Sequence, residues 1–127
     1  MKTELLKYDL SMFGTLLSFK HVWIVPAVVV RVIDGDTVVV HMEVVPGLIF
    51  HEAHVRVQGI NAPEMNTVAG KNAKTVAEAW LPVNSIITIT MEDTDKYGRM
   101  LGKITMSDGR IFGDLMIASG NAVAYNP

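Results

Sequence analysis

The sequence predicts a mainly β fold with helices, an α+β fold of five strands and two short helices in one domain. Runs rich in Val, Ile and Thr recur along the chain and are separated by Gly, Asp and Pro, as is typical of short antiparallel strands. Helical spacing of apolar residues interrupts these runs once in the middle and once near the end. The length of 127 residues suits a single domain with one core.

The first three strands are predicted to form an antiparallel meander. The stretch VVVRVIDGDTVVVHMEV indicates two strands joined at Asp34-Gly35-Asp36, because Asp-Gly is a strong turn signal and Val and Thr favour extended backbone. Residues 22–33 are predicted to hold a lead-in and the first of these strands. A second turn at residues 46–47 leads into a third strand over about residues 50–58. Pro63 then blocks further pairing, since it offers no N–H.

The second half of the chain is predicted to begin with a helix over residues 71–81, KNAKTVAEAWL, whose apolar residues recur at spacings of three and four. Gly70 precedes this helix and Pro82 ends it. Two strands follow, SIITITME and MLGKITM, then a short helix over residues 111–119 and a last extended piece, AVAY. Five strands with a helix between the third and fourth match the five-stranded Greek-key β-barrel of the OB type.

Composition and charge narrow the functional classes. The absence of cysteine excludes a disulfide framework and a thiolate metal site. With a formal net charge of −2, the chain lacks the basic excess typical of a non-specific nucleic-acid binder. The acidic surplus lies within residues 31–64, a segment that contains five carboxylates and only two arginines. Such a cluster suits a hard cation such as calcium, although each carboxylate taken alone is also explained as a solvated turn residue.

Residues 1–21 are predicted to be an N-terminal extension, and residues 22–127 to be the barrel domain. Lys20 and Pro26 interrupt the roughly 20 apolar residues that a membrane-spanning helix needs. We therefore favour a soluble extension that packs on the barrel, with an uncleaved anchor as the alternative. No stable membrane association is expected. The compartment is undetermined, with the cytoplasm favoured over secretion or membrane anchoring.

Three motifs stand in order along the chain: VIDGDT at residues 32–37, VRVQGINAPE at residues 55–64 and DKYGR at residues 95–99. Each motif alone is weak, but their order and spacing, with a helix between the last two, resemble the staphylococcal nuclease (thermonuclease-like) family. The resemblance covers roughly residues 25–126. It implies an OB-type barrel and a calcium-dependent phosphodiesterase that acts on DNA and RNA.

The resemblance implies a calcium site formed by the side chains of Asp36 and Asn61 and the backbone carbonyl of Ala62. Asn61 stands where the family pattern has aspartate. An amide oxygen can bind calcium but brings no charge, so the affinity for the metal should be lower. Three alternatives stay open: a need for more metal or a different metal, help from Asp34, and a weakened or inactive site.

The resemblance assigns the catalytic chemistry to Arg56, Glu64 and Arg99. The five-coordinate phosphorus of the transition state carries extra negative charge, which two guanidinium groups can bind while remaining charged at any working pH. Glu64 would accept a proton from the attacking water or orient it. Three further residues match substrate contacts near the terminal phosphate, the base or the sugar: Lys96, Tyr97 and Tyr125.

Taken together, the sequence predicts a small monomeric nuclease that hydrolyses DNA and RNA, with single-stranded DNA or RNA as substrate. By resemblance it would leave 3′-phosphates, and the sequence leaves endonuclease and exonuclease action both open. The alternative is a catalytically weakened or inactive OB-type module that binds nucleic acid or a protein. Asn61 and the acidic balance favour this alternative, whereas the retained arginines and Glu64 argue against it.

Overall fold

The computed structural model describes residues 22–94 and 99–126 and shows seven strands and two helices among them. The strands are β1 (Trp23–Asp34), β2 (Thr37–Val45), β3 (Leu48–Val57), β4 (Ile60–Asn61), β5 (Ile86–Thr94), β6 (Met100–Met106) and β7 (Val123–Ala124). The helices are α1 (Val68–Trp80) and α2 (Phe112–Ala118). The mainly β, α+β class and the two short helices expected from the sequence are thereby confirmed.

Five of these strands close into a barrel in the order β1, β2, β3, β6, β5, with β5 pairing back to β1. The first three strands form the predicted antiparallel meander. β3 and β6 run parallel, and this pairing places Arg56 opposite Leu101. The ring agrees with the OB-type barrel predicted from the sequence. It brings the end of β3 next to the start of β6, although about a third of the chain lies between these two strands in the sequence.

The barrel core forms because alternate residues of each strand point inward. On β2, Val38, Val40 and Met42 face the interior and are buried. Each fully buried side chain of this size stabilises the fold by about 1.5–3 kcal/mol. The core also takes side chains from the other strands and both helices: Val25, Ala27, Val29, Val55, Val57, Ile87, Ile89, Ile104, Ala73, Ala77, Phe112 and Met116.

Helix α1 begins at Val68, three residues earlier than the sequence pattern predicted. Its N-cap is Thr67, whose hydroxyl oxygen accepts a hydrogen bond from the Gly70 N–H at 3.0 Å. Gly70 therefore lies in the first turn of the helix rather than before it, and the prediction that it precedes the helix is wrong. The helix packs against β1 through Ala73 and Ala77, and it ends one residue before Leu81.

Helix α2 and strand β7 bring the C-terminal residues of the domain back to the barrel. Phe112 and Met116 anchor α2 in the core. Within the described part of the chain, no helix is long and apolar enough to cross a membrane. β7 pairs with β4, which sets Val123 opposite Asn61. The last strand is thus placed beside one of the residues that the sequence predicts to bind metal.

Candidate active site

The turn between β1 and β2 packs tightly against the segment that follows β4. Gly35 occupies this turn, and a Cβ atom on it would lie 2.7 Å from the Cβ of Ala62 and 3.0 Å from that of Ala73. Any other residue would force these elements apart. The glycine therefore allows the Asp34–Asp36 turn to lie against Ala62, which is 26 residues beyond Asp36.

Asp36 is fixed in this turn by three backbone contacts. Its Oδ2 atom accepts a hydrogen bond from the Ala62 N–H at 2.8 Å. Its carbonyl oxygen accepts one from the Val57 N–H at 2.8 Å, and its own N–H donates to Oδ1 of Asp34 at 3.0 Å. Since these contacts come from the β1–β2 turn, the end of β3 and the end of β4, Asp36 holds all three segments together.

Arg56 points from β3 into the same site, and only 9% of its surface is exposed. Its Nη1 atom donates to the Val57 carbonyl oxygen at 2.7 Å, and its Nη2 atom donates to Oδ1 of Asn61. Nη2 also lies 3.4 Å from Oδ2 of Asp36. The nearly buried guanidinium thus has a carboxylate partner and two further acceptors, which offset the cost of removing its charge from water.

The carboxyl group of Asp36 binds a proton more tightly than an ordinary aspartate. Its pKa is raised from 3.8 to about 6, chiefly because burial removes water from the charged form and also because of the adjacent Asp34 carboxyl. The Ala62 N–H and the positive charge of Arg56 act in the opposite direction. Asp36 is therefore ionised at neutral pH and takes up a proton in mildly acidic solution.

Glu64 lies on the segment between β4 and α1, with an exposed side chain. Its backbone carbonyl accepts hydrogen bonds from the N–H and the hydroxyl of Thr67, at 3.0 and 2.6 Å. The same carbonyl lies against Gly70, where an added Cβ would come within 1.9 Å of the oxygen. The cap and the first turn of α1 therefore determine where the backbone of Glu64 can lie.

Two of the other predicted site residues, Arg99 and Tyr125, are located by the backbone pairing of their segments. Arg99 is exposed and lies two residues before Leu101, the partner of Arg56 in the β3–β6 pairing. The Tyr125 N–H donates to the Gly59 carbonyl oxygen at 2.9 Å, just ahead of β4. Lys96 and Tyr97 lie outside the described residues. The structure thus brings Asp36, Arg56, Asn61 and Ala62 together, with Glu64 and Tyr125 on the adjoining segments; their roles stay predictions.

Sequence reasoning missed three residues that shape the site: Gly35, Thr67 and Gly70. The sequence predicts only a turn at Gly35, whereas its close packing against Ala62 is what positions Asp36. Thr67 carried a readable signal, because a threonine just before a periodic run is a typical N-cap. The contact of Gly70 with the Glu64 carbonyl has no such local signal.

The donor atoms of the predicted calcium site suit a hard cation in type, since Asp36, Asn61 and Ala62 offer a carboxylate, an amide oxygen and a backbone carbonyl. Asp36 and Asn61 each direct one oxygen at Arg56, but carboxylate and amide oxygens keep further lone pairs. Among the described residues, no group of three or more His, Cys, Asp or Glu side chains is arranged to hold a metal ion. The set therefore fits a cation with one protein carboxylate, and water would complete its coordination.

Comparison with known protein families identifies the chain. A family model described as "Staphylococcal nuclease homologue" matches residues 54–127, more than half of the chain. The chain belongs to this family. The match includes Arg56, Asn61, Glu64 and Arg99, whereas Asp36 lies ahead of it and joins the site through the barrel. The family resemblance expected from the three motifs is thus confirmed.

Three proteins of Escherichia coli are similar to this chain in sequence. A protein named "Uncharacterized endonuclease" from Escherichia coli O157:H7 is 33% identical over 97 residues, which cover 76% of this chain and 59% of the relative. A second protein of that name from Escherichia coli is 32% identical over 97 residues, which again cover 76% of this chain and 59% of the relative. "Protein ParB" of Escherichia coli is 37% identical over 76 residues, which cover 60% of this chain and 39% of the length of that protein. The chain thus spans about 59% of the length of the endonuclease-named relatives.

Proposed function

We propose that this protein is a metal-dependent nuclease that hydrolyses phosphodiester bonds in DNA and RNA, with calcium as its cation. The observation that carries the proposal is the clustering of Arg56, Asp36 and Asn61 in a chain of the staphylococcal nuclease homologue family. The two endonuclease-named relatives support the same activity. Single-stranded DNA or RNA, hydrolysed to leave a 3′-phosphate, is the substrate and product class we assign to this site.

Arg56 is suited to bind the phosphate because its guanidinium is held in place and still has donors to spare. Its contacts with Val57, Asn61 and Asp36 use at most three of its five N–H donors. The remaining donors can bind non-bridging phosphate oxygens. Arg99 would supply the second guanidinium from the start of β6. Donors aimed at developing charge typically contribute about 10²–10³ each to the rate.

Glu64 would act on the attacking water. Its side chain is exposed, so a water molecule can reach it, and the contacts of its backbone with Thr67 and Gly70 limit where the carboxylate can lie. A positioned general base contributes about 10²–10⁴ in rate. Asp36, Asn61 and Ala62 would hold the cation, which when bound lowers the charge on the phosphate and orients the water.

Cleavage of labelled single-stranded DNA by the purified protein tests this function. We expect no cleavage in EDTA and cleavage over a calcium series from micromolar to millimolar. Arg99→Ala and Glu64→Gln should each lower turnover at least about a hundredfold with the fold intact. Arg110→Ala and Glu78→Gln remove the same charges at exposed positions elsewhere and should cleave as the wild type does. Near wild-type turnover in both site variants would sink the assignment.

A non-catalytic nucleic-acid-binding module is the second candidate, and one observation favours it. Oδ1 of Asn61 and Oδ2 of Asp36 are both directed at Arg56, so the cluster is already satisfied without a cation. A binding module should shift labelled single-stranded DNA in a gel, with steep salt dependence and no cleavage at any calcium concentration. Cleavage that requires calcium would reject it.

A further inference from the structure

One end of the barrel exposes a group of large apolar side chains. The apolar barrel end consists of residues from the start of β1 and from the β2–β3 hairpin: Val22, Trp23, Ile24, Val45, Leu48, Ile49 and Phe50. Single exposed apolar residues are normal, but a contiguous group marks a surface that is covered by another element or partner. Helix α1 does not cover it, since α1 packs beside Gly35, at the opposite end of β1.

Two of these side chains point toward the barrel interior and yet remain half exposed. Trp23 pairs with Met91 of β5, which packs against the core, and Phe50 pairs with Met42 of β2, which belongs to it. Residues directly opposite in an antiparallel pair point to the same face. Trp23 and Phe50 are nevertheless 50% and 55% exposed. They therefore line the mouth of the barrel rather than its outer wall.

The strands separate at this mouth. The pairing of β1 with β2 begins at Ala27 and Met42, although both strands continue beyond those residues. In the same register, Ile24 would lie opposite Val45, but the two do not pair. The opening between the strands gives an apolar segment access to Trp23 and Phe50.

We propose that residues 1–21 of this chain cover the apolar barrel end. This segment leads directly into Val22, and it carries Met12, Phe13, Leu16 and Leu17 at the spacing of one helical face. Residues 18–21 can span about 13 Å when extended, which suffices to turn this face back onto Trp23. A tethered segment acts at an effective concentration in the millimolar range, so it competes well against a partner from solution.

Paramagnetic broadening in the full chain tests the proposal. The chain has no cysteine, so Ser11→Cys carries a single nitroxide label. We expect strong broadening of the amide signals of Val45 and residues 47–50 and of the Trp23 indole N–H. A label on Ser107→Cys, in the turn after β6, is the matched control and should leave those signals sharp. Sharp signals with the Ser11 label would overturn the proposal.

A mixed sample separates this tether from a second copy of the chain. Isotope-enriched protein without a label is combined with labelled protein that is not enriched, so broadening can arise only between molecules. We expect none, and broadening at the apolar barrel end of the mixed sample alone would assign the surface to self-association instead.

A charge introduced on the apolar face should release the segment. In the Ser11-labelled chain, Leu17→Asp should restore most of the lost signal at residues 45–50. Thr15→Asp adds the same charge off the apolar face formed by Phe13, Leu16 and Leu17 and should keep the broadening. Equal broadening in both variants would contradict the proposed contact. The core signals in the same spectra report whether each variant is folded.

Discussion

Arg56 and Asn61 are joined by a direct hydrogen bond, from Nη2 of the guanidinium to Oδ1 of the amide. The side chain that the family resemblance assigns to metal binding thus also holds the arginine that the resemblance assigns to catalysis. Because the amide is neutral, Asp36 is the carboxylate that balances Arg56 within this contact group. Under the proposed function, an amide in place of a carboxylate would therefore affect both the binding of the cation and the charge balance around the arginine.

Asn61→Asp should strengthen calcium binding by about tenfold or more, because a second carboxylate joins Asp36 at the site. The protein is first treated with EDTA, and the EDTA is then removed. Isothermal titration calorimetry with calcium then measures the dissociation constant without relying on catalysis. Asn72→Asp places the same charge on the exposed face of α1 and should leave the constant unchanged. Equal affinities for wild type and Asn61→Asp would show that this position does not contact the cation. Cleavage that begins at lower calcium in the variant would add kinetic support.

Arg56→Lys should lose both stability and activity, although it keeps the charge. A single ammonium cannot reach the Val57 carbonyl, Asn61 and Asp36 in the geometry of the guanidinium. We expect a loss of about 1–3 kcal/mol in the free energy of unfolding, measured in urea. Turnover should fall about 10²–10³-fold.

Arg31→Lys is the matched control for this substitution. Arg31 forms a 2.7 Å ion pair with Glu52 on the surface, where both side chains are about half exposed. Exposed pairs contribute little, so the unfolding free energy should change by less than about 1 kcal/mol. A loss in Arg31→Lys as large as that in Arg56→Lys would argue against a special role for the buried arginine.

Gly70→Ala should lower activity by moving Glu64. In an ordinary helix this change stabilises by about 0.5–1 kcal/mol. Here the new Cβ would lie 1.9 Å from the Glu64 carbonyl oxygen and 2.9 Å from that of Pro63, so the segment must shift. A displacement of about 1 Å can cost about 10²-fold in rate. This effect is measured as turnover, at a temperature at which circular dichroism shows that the variant is folded.

Val68→Ala serves as the control for Gly70→Ala, since it changes an exposed side chain in the same helical turn. It should retain turnover. If Gly70→Ala matched the wild type in both turnover and stability, the close packing of α1 against Glu64 would not matter for catalysis.

Asp36→Asn should change the pH dependence of stability. Folding raises the pKa of Asp36 from 3.8 to about 6, so the folded protein holds this proton more tightly than the unfolded chain does. The contribution of Asp36 to the free energy of unfolding therefore falls as pH rises from 3.8 to about 6 and is constant above that range. Asparagine does not titrate, so the unfolding free energy of the variant should fall less across this window. Urea unfolding in EDTA at several pH values measures the difference, and parallel curves would contradict it.

Much of the fold was readable from local patterns. The β-branched runs and the Asp-Gly turn predicted β1 and β2, and the spacing of three and four predicted α1. The helix begins three residues before the predicted start, because Gly70 lies within its first turn and the hydroxyl of Thr67 caps it. The exposed mouth at Trp23 and Phe50 was not predicted, since it depends on where β1 and β2 stop pairing.

The sequence by itself determined the fold class of this protein, the order of its three motifs and the presence of an amide where the family has a carboxylate. Only the tertiary structure decided which atoms meet. Asp36 bonds to Ala62 across 26 residues because the barrel closes and Gly35 has no side chain to keep the segments apart. Asn61 faces Arg56 because β4 turns back beside the end of β3. Such contacts depend on the packing of distant segments, and no local pattern of residues encodes them.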